Sequence, residues 1–489
     1  MTSWFQQQVA KQPEKIAFYW QDEQWTFAEI NTEVQKWQSM YAAVLPIKEK
    51  RIALFSQNSK EMYFTILALW ELGKELVLLN THLTQKELHY QLKDAGVRQV
   101  IVSPMKLKLF NSFEEIQAIP MSLATEIDVS SNTERESYKL MSVASIMYTS
   151  GTTGNPKGVL QLFENHLASA IATQENMKVT ETDCWLCGVP LFHISGLSII
   201  LRQLVLGCSV RLYEKFNAQQ VTNDLVLGKG SIVSVVTVML EELLALYPKE
   251  GYAPGFRTML LGGGPVSLAT LNQCKKLNVP IIQSYGMTET CSQVIALSSA
   301  DSMEKIGSAG KPLLGIELKI VNNEEQMLPS NEVGEILLRG KNIVHHYIGE
   351  DRQLFGKRTT DGWFSTGDLG YLDKDGYLYI VSRLSELIIS GGENIYPAEV
   401  EQALQNISGV KEVAVIGEPD KKWGTVPVAY LVRGANVTEA EIQQKVSQSI
   451  AKYKVPKRIY FCHSLPRTAS GKLAKHRLVT KERTAFLEQ

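Results

Sequence analysis

The sequence predicts an α/β protein, with a large N-terminal domain of layered α/β sheets carrying a β-rich lobe, followed by a small α+β C-terminal domain. Three observations predict it. At 489 residues the chain exceeds what one ordinary hydrophobic core supports, so two or more domains follow. Amphipathic stretches alternate with short apolar runs up to about residue 300, the rhythm of largely parallel sheets covered by helices. Beyond Gly307 that texture gives way first to short strands between Asn, Gly and Asp turns, then to a compact mixed unit.

Taken in order, Phe27 to Leu45 has helical periodicity, Arg51-Ile-Ala-Leu-Phe55 reads as a strand, and Lys60 to Leu72 is helical again. Leu76 to Asn80 and Gln99 to Ser103 continue as strands, and Thr258-Met-Leu-Leu261 is a buried strand running into Gly262-Gly-Gly-Pro265. The β-rich lobe holds Glu317 to Val321, Gly334 to Leu338 and Tyr377 to Val381. After Arg383 come a helix at Pro397 to Asn406, strands at Val410 to Ile416 and Val426 to Val432, and a helix at Glu439 to Lys452. This last unit has the size of a small independent domain. The expected division is therefore 1–383 and 384–489, joined near 382–386.

Composition narrows the function. Hydrophobic residues make up 44% and charged residues 21%, and the formal net charge is −1. No overall basic field points to nucleic acid or an anionic membrane, and self-association remains compatible with such a surface. The N-terminus lacks a basic stretch followed by an apolar run, and the longest apolar runs are broken by Arg202-Gln203 and Glu241-Glu242. A cytoplasmic protein without membrane insertion is expected. The 6 cysteines are scattered, as in a reducing compartment, and Cys184-Trp-Leu-Cys187 lacks a second pair at zinc-site spacing, so a core strand is expected there.

The chemistry concentrates in Ser145-Ile-Met-Tyr-Thr-Ser-Gly-Thr-Thr-Gly-Asn-Pro-Lys-Gly158. A strand-like run ends in a loop whose hydroxyls come from Thr149, Ser150, Thr152 and Thr153. Gly151 and Gly154 let the main chain approach a bulky anion, and Lys157 supplies a cation. The loop suits a triphosphate. It is not the P-loop of kinases and GTPases, because Pro156 stands where that pattern needs Gly before Lys.

Further clusters follow it. Gly262-Gly263-Gly264 would let a planar ligand lie against backbone. Ser284-Tyr-Gly-Met-Thr-Glu-Thr-Cys-Ser-Gln293 offers an aromatic ring, threonine hydroxyls and an acid, and Ser365-Thr-Gly-Asp368 presents a carboxylate suited to a ribose diol. Ser390-Gly-Gly-Glu-Asn394 is a glycine loop beyond the suspected joint, and Pro466-Arg-Thr-Ala-Ser-Gly-Lys472 sets a lysine on a turn. Singly each is more often a plain turn, a helix cap or a solvated lysine. Their shared order and spacing along one chain favour a single functional site instead.

Together, from about Phe27 to His476, these motifs resemble the adenylate-forming superfamily of acyl- and aryl-CoA synthetases, adenylation domains and luciferases. The resemblance implies an AMP-forming acid–CoA ligase using ATP, Mg²⁺ and coenzyme A. It places the β- and γ-phosphates on the loop from Thr149 to Lys157, Mg²⁺ on Glu289, and the α-phosphate or reacting carboxylate on Thr288. Tyr285 and Gly262 to Gly264 would flank adenine, and Asp368 and Arg383 the ribose. Lys472 would bridge carboxylate and α-phosphate in adenylation. The small domain would then turn and bring Gly391-Gly392 alongside the pantetheine arm. The usual Asp or Lys of the hinge is replaced by Ser385.

Within the superfamily, Pro190-Leu-Phe-His-Ile-Ser-Gly-Leu-Ser198, Ser284 to Gln293, Met303 to Pro312 and Ile388 to Glu399 are most similar to members that take an aromatic acid, with 2-succinylbenzoate as the implied substrate. His193, Ser195, Ser292 and Gln293 would line its pocket, a satisfied core histidine being the competing account of His193. The sequence assigns no Arg or Lys to the second carboxylate of such a substrate. Another aryl- or medium-chain acyl-CoA synthetase, a carrier-loading module and a non-catalytic adenylate binder are the alternatives.

Overall fold

The structure, a computed structural model, describes residues 2–122, 139–149, 156–264, 266–349, 359, 361–391, 393–434, 437–467, 473–479 and 481–488. Packing groups the chain into two units, 1–318 with 338–364, and 319–337 with 365–489.

The first unit is built on two sheets. One has seven strands in the order His346–Tyr347, Lys157–Leu162, Val143–Thr149, Glu75–Leu78, Arg51–Phe55, Gln99–Val102 and Gln117–Pro120. From Val143–Thr149 to Gln117–Pro120 every pairing is parallel, as the strand–helix alternation predicts. The other sheet has nine strands, with Cys184–Cys187, Ile232–Val235, Thr258–Leu261 and Ile281–Met287 as parallel neighbours at its centre and Ser292–Leu297 antiparallel beyond them. Cys184–Cys187 is thus the core strand expected, and burial pushes both of its thiols up to about 12, so they stay protonated.

Helices start where the sequence supplies caps. Thr26 and Glu29 form a reciprocal capping box for helix Phe27–Val44, and Ser59 caps Lys60–Glu71. Gly207, at φ 74°, ends helix Ile194–Leu206 with its N–H on the Gln203 carbonyl, a left-handed turn for which glycine is the cheap residue. A buried cluster draws Leu54 and Leu76 from one sheet, Trp185 and Leu260 from the other, and Trp37, Tyr63, Trp70 and Leu201 from the helices. Two of its aromatics bond their polar ends within it. Tyr63 Oη donates to Gln203 Oε1 at 3.0 Å and Trp70 Nε1 to the Ala144 carbonyl at 2.8 Å.

The second unit carries a four-stranded sheet in the order Glu317–Val321, Gly334–Arg339, Phe364–Leu372 and Leu378–Arg383. Packing thus groups most of the β-rich lobe with the C-terminal residues. A second sheet contains Glu393–Ile395, Ile388–Ser390, Gly424–Arg433 and Val410–Asp420, with Arg458–Cys462 also paired to Gly424–Arg433. Helix Pro397–Gln405 packs on it as expected, but the next helix is shorter than its sequence predicts, stopping at Val446 instead of Lys452. Ser447 and Ser449 turn their hydroxyls onto the carbonyls of Gln444 and Val446, and such local bonds compete with helix continuation.

Candidate active site

In parallel sheets ligands gather beyond the carboxyl ends of the strands, and in the first unit Thr149, Gly262 to Gly264 and Thr288-Glu289 lie at or just past the ends of Val143–Thr149, Thr258–Leu261 and Ile281–Met287. Strand Val143–Thr149 delivers Thr149, whose register partner across the hairpin is Lys157. That pair closes the base of the glycine-rich loop. Ser150, Gly151, Thr152, Thr153 and Gly154 lie outside the described residues. Gly262 to Gly264 follow strand Thr258–Leu261, and Tyr285 lies on the adjoining parallel strand. The two strand ends are tied by Ser284 Oγ, which donates to the Leu261 carbonyl at 2.9 Å. Among the described residues a Cβ placed on Gly264 would meet nothing within 4 Å, whereas one on Gly262 or Gly263 would touch Ser284 or Val236.

The turn after Tyr285 is the most constrained part of the site. Gly286 is required because a Cβ there would collide with the Ser292 carbonyl. Thr288 and Glu289 sit on a short 3₁₀ turn, and behind it Cys291 and Ser292 hold positive φ values of 51° and 100°. For residues with side chains that is a strained pair, sustained by bonds around it. Thr290 Oγ1 accepts from the Met287 N–H at 2.9 Å and donates to the Ser292 carbonyl at 2.7 Å. From neighbouring elements, Gln161 Nε2 donates to the Thr288 carbonyl at 2.7 Å, Ser169 Oγ to the Cys291 carbonyl at 2.8 Å, and the Val344 N–H to the Glu289 carbonyl at 2.9 Å.

Glu289 is only 6% exposed, and Tyr347 Oη donates to its Oε1 at 2.9 Å. Burial, with the carboxylate's charge behind it, raises the Tyr347 pKa, so the phenol stays a donor. Lys157 Nζ lies 5.4 Å from the centre of the same ring. Tyr347, which no sequence motif marked, therefore joins the loop cation to the buried acid. Among the described residues no cluster of three metal-ligating side chains occurs. A single oriented carboxylate nevertheless fits Mg²⁺ that arrives on a polyphosphate, since this ion keeps waters and phosphate oxygens and takes one or two carboxylates from protein.

Across from that turn lies helix Ile194–Leu206. His193 is its N-cap residue, its ring edge-on to Phe192 at 4.9 Å between centroids, and Ser195 is exposed one residue into the helix. Two turns on from Ser195, and so on the same face, is Arg202. Its side chain stacks 5.1 Å from the Trp185 ring centre, and Nη2 donates to Ser292 Oγ at 3.0 Å. Arg202 is 1% exposed, Nε has no acceptor among the described residues, and no carboxylate pairs with it there. Burial lowers its pKa to about 10, which still leaves it cationic at neutral pH. Its signal in the sequence was a lone charge inside an apolar helix. Gln293 differs from the other expected pocket residues. It is 3% exposed and donates to Thr173 Oγ1 at 3.1 Å, against helix Phe163–Met177.

In the second unit Asp368 and Arg383 are register partners and pair Nε to Oδ1 at 2.8 Å, with Asp368 only 3% exposed. Ser385 is exposed on the 3₁₀ turn Leu384–Glu386. Glu386 of that turn and Glu401 of helix Pro397–Gln405 both pair with Lys475, at 2.7 and 2.8 Å. Gly391 has φ 59°, its N–H bonds the Trp423 carbonyl, and a Cβ on it would come within 2.7 Å of the Trp423 ring. Gly392 and Lys472 lie outside the described residues.

The class of protein is set by its family: over most of its length the chain belongs to the AMP-binding enzyme family. The family model matches residues 5–348 and the model of its C-terminal domain 399–472. In particular, the chain is 59% identical to a 2-succinylbenzoate–CoA ligase of Enterococcus faecalis over 99% of both chains, and 44% identical to one of Listeria monocytogenes over 99% of both. Its fold matches o-succinylbenzoate CoA synthetase from Bacillus subtilis in complex with the acyl-adenylate intermediate, with TM-score 0.91, 39% identity and 98% of each chain covered. The same synthetase in complex with ATP and magnesium ion matches with TM-score 0.90, 39% identity, and 98% of this chain and 99% of that one covered.

Proposed function

We propose that the chain is a 2-succinylbenzoate–CoA ligase of menaquinone biosynthesis, using ATP and releasing AMP. The observation that carries the substrate is Arg202. It is a buried cation without an acidic partner among the described residues, bonded to Ser292 of the catalytic turn, and it supplies the charge that a second carboxylate on the substrate needs. Full-length similarity to ligases of that name supports the same conclusion.

The reaction has two halves. A carboxylate oxygen of the succinyl chain attacks the α-phosphorus of ATP and the bond to pyrophosphate breaks, leaving the acyl-adenylate. The CoA sulfur then attacks the acyl carbon, the bond to AMP breaks, and the thiol proton is lost. The first half brings anions together, so fixed positive charge is its main requirement. Lys157 and the loop hydroxyls would hold the β- and γ-phosphates, and Thr288 the α-phosphate or the attacking carboxylate. Glu289, oriented by Tyr347, would hold Mg²⁺, which when bound offsets charge on the phosphates. Gly262 to Gly264 and Tyr285 would receive adenine, and Asp368 the ribose hydroxyls beside Arg383. Lys472 would act only in adenylation, with residues 384–489 turning about Ser385 so that Gly391-Gly392 serve thioester formation.

The test is a thioester assay with ATP, Mg²⁺ and CoA over a panel of aromatic and aliphatic acids. 2-Succinylbenzoate should be converted to its mono-CoA thioester at the succinyl carboxylate. Preference for benzoate or a fatty acid would overturn the substrate while leaving the family unchanged.

A further inference from the structure

We propose that Gln161 is a positioning residue for adenylation, holding the Thr288–Glu289 turn by its main chain, with its amide locked in one orientation by Ser145 and His166. The proposal rests on the assignment of Mg²⁺ to Glu289.

The orientation follows from proton accounting. The Thr288 carbonyl can only accept, so the Gln161 group 2.7 Å from it is the amide nitrogen. Gln161 Oε1 then faces Ser145 Oγ at 2.6 Å, and the single hydroxyl proton of Ser145 is committed to that bond. His166 Nε2, 3.1 Å from Ser145 Oγ, must therefore donate. That places a proton on Nε2. Burial, and then the charge of Arg202, pull the His166 pKa down to about 3, in keeping with a neutral ring.

The chain His166–Ser145–Gln161–Thr288 draws on a helix, two neighbouring strands and the turn, and its three side chains are 2%, 0% and 0% exposed. A flipped amide would set Oε1 against the Thr288 carbonyl, two acceptors 2.7 Å apart with no proton between them, so the buried network admits one arrangement. The turn it holds contains the positive-φ pair Cys291-Ser292, and Thr288 and Glu289 are adjacent. Freeing the Thr288 carbonyl lets the peptide between them rotate, and that rotation swings the Glu289 carboxylate away from where a phosphate-bound ion sits. The loss should therefore appear in the metal dependence.

Gln161→Met keeps length and removes both bonds. In a pyrophosphate-release assay it should raise the Mg²⁺ concentration for half-maximal rate about ten- to a hundredfold, the range for groups that orient a metal ligand. Thioester formation from supplied acyl-adenylate should keep its CoA KM. Ser145→Ala leaves the Gln161–Thr288 bond but unlocks the amide, so it should shift the Mg²⁺ curve in the same direction by less, and it serves if Gln161→Met folds poorly. Glu289→Gln is the control. If Glu289→Gln abolishes the Mg²⁺ response while both network variants keep the wild-type curve, Gln161 is merely structural and the proposal fails alone. If Glu289→Gln itself leaves the Mg²⁺ response unchanged, the metal assignment fails and the proposal falls with it.

Discussion

Arg202 donates to Ser292 across 90 positions of sequence, joining a helix with no other charged residue to the strained end of the turn that carries Thr288 and Glu289. A guanidinium this buried costs several kcal/mol unless something anionic answers it. The substrate's ring carboxylate is that partner in the proposed complex.

Arg202→Met should therefore lower kcat/KM for 2-succinylbenzoate about ten- to a hundredfold, the scale of a lost charge-assisted hydrogen bond. 4-Oxo-4-phenylbutanoate, which lacks the ring carboxylate, is the comparison substrate and should be used by variant and wild type alike. Equal loss on both acids would assign Arg202 to packing.

Charge without shape change tests the acid. Glu289→Gln keeps the side chain's size and its bond from Tyr347, so the melting temperature should move little, while pyrophosphate release falls on the order of a hundredfold. Wild-type turnover in EDTA equal to that in Mg²⁺ would remove the metal from this residue.

Two glycines of the site should respond oppositely. At Gly286 any Cβ strikes the Ser292 carbonyl, so Gly286→Ala should cost about 1–3 kcal/mol and lower the melting temperature. At Gly264 an added Cβ meets nothing within 4 Å among the described residues, so Gly264→Leu should melt as wild type yet raise the KM for ATP by obstructing adenine. A Gly264→Leu enzyme with unchanged ATP kinetics would move the base elsewhere.

Lys472 tests the division of labour between the half-reactions. Lys472→Ala should slow adenylation on the order of a hundredfold or more, the scale for removing a preorganised charge partner. Given preformed acyl-adenylate, the same variant should transfer the acyl group to CoA at near wild-type rate, while Gly392→Leu should do the reverse. Equal slowing of both steps by Lys472→Ala would make that lysine shared or structural.

Much of the candidate site could be proposed from the sequence because the chemistry expected of it is local. A loop needs its glycines, hydroxyls and lysine within a few residues, and an acid on a tight turn is bracketed by the residues that shape the turn. Gln293 shows the limit of that logic. It follows Ser292 directly, yet alternation along the strand sends its side chain to Thr173 of a packed helix.

The sequence by itself determined the α/β layering, the helix starts at Thr26 and Ser59, and the motif set that marks an adenylate-forming enzyme, because capping, periodicity and loop chemistry act over a few residues. Tertiary structure alone decided that Tyr347 reaches Glu289 across 58 positions, that Gln161 holds Thr288 across 127, and that Arg202 is a buried cation beside Ser292 and not a surface interruption of an apolar run. Those contacts depend on which strands become neighbours and how helices pack over them. Hydrophobic burial across the whole unit sets that arrangement, and no local pattern encodes it.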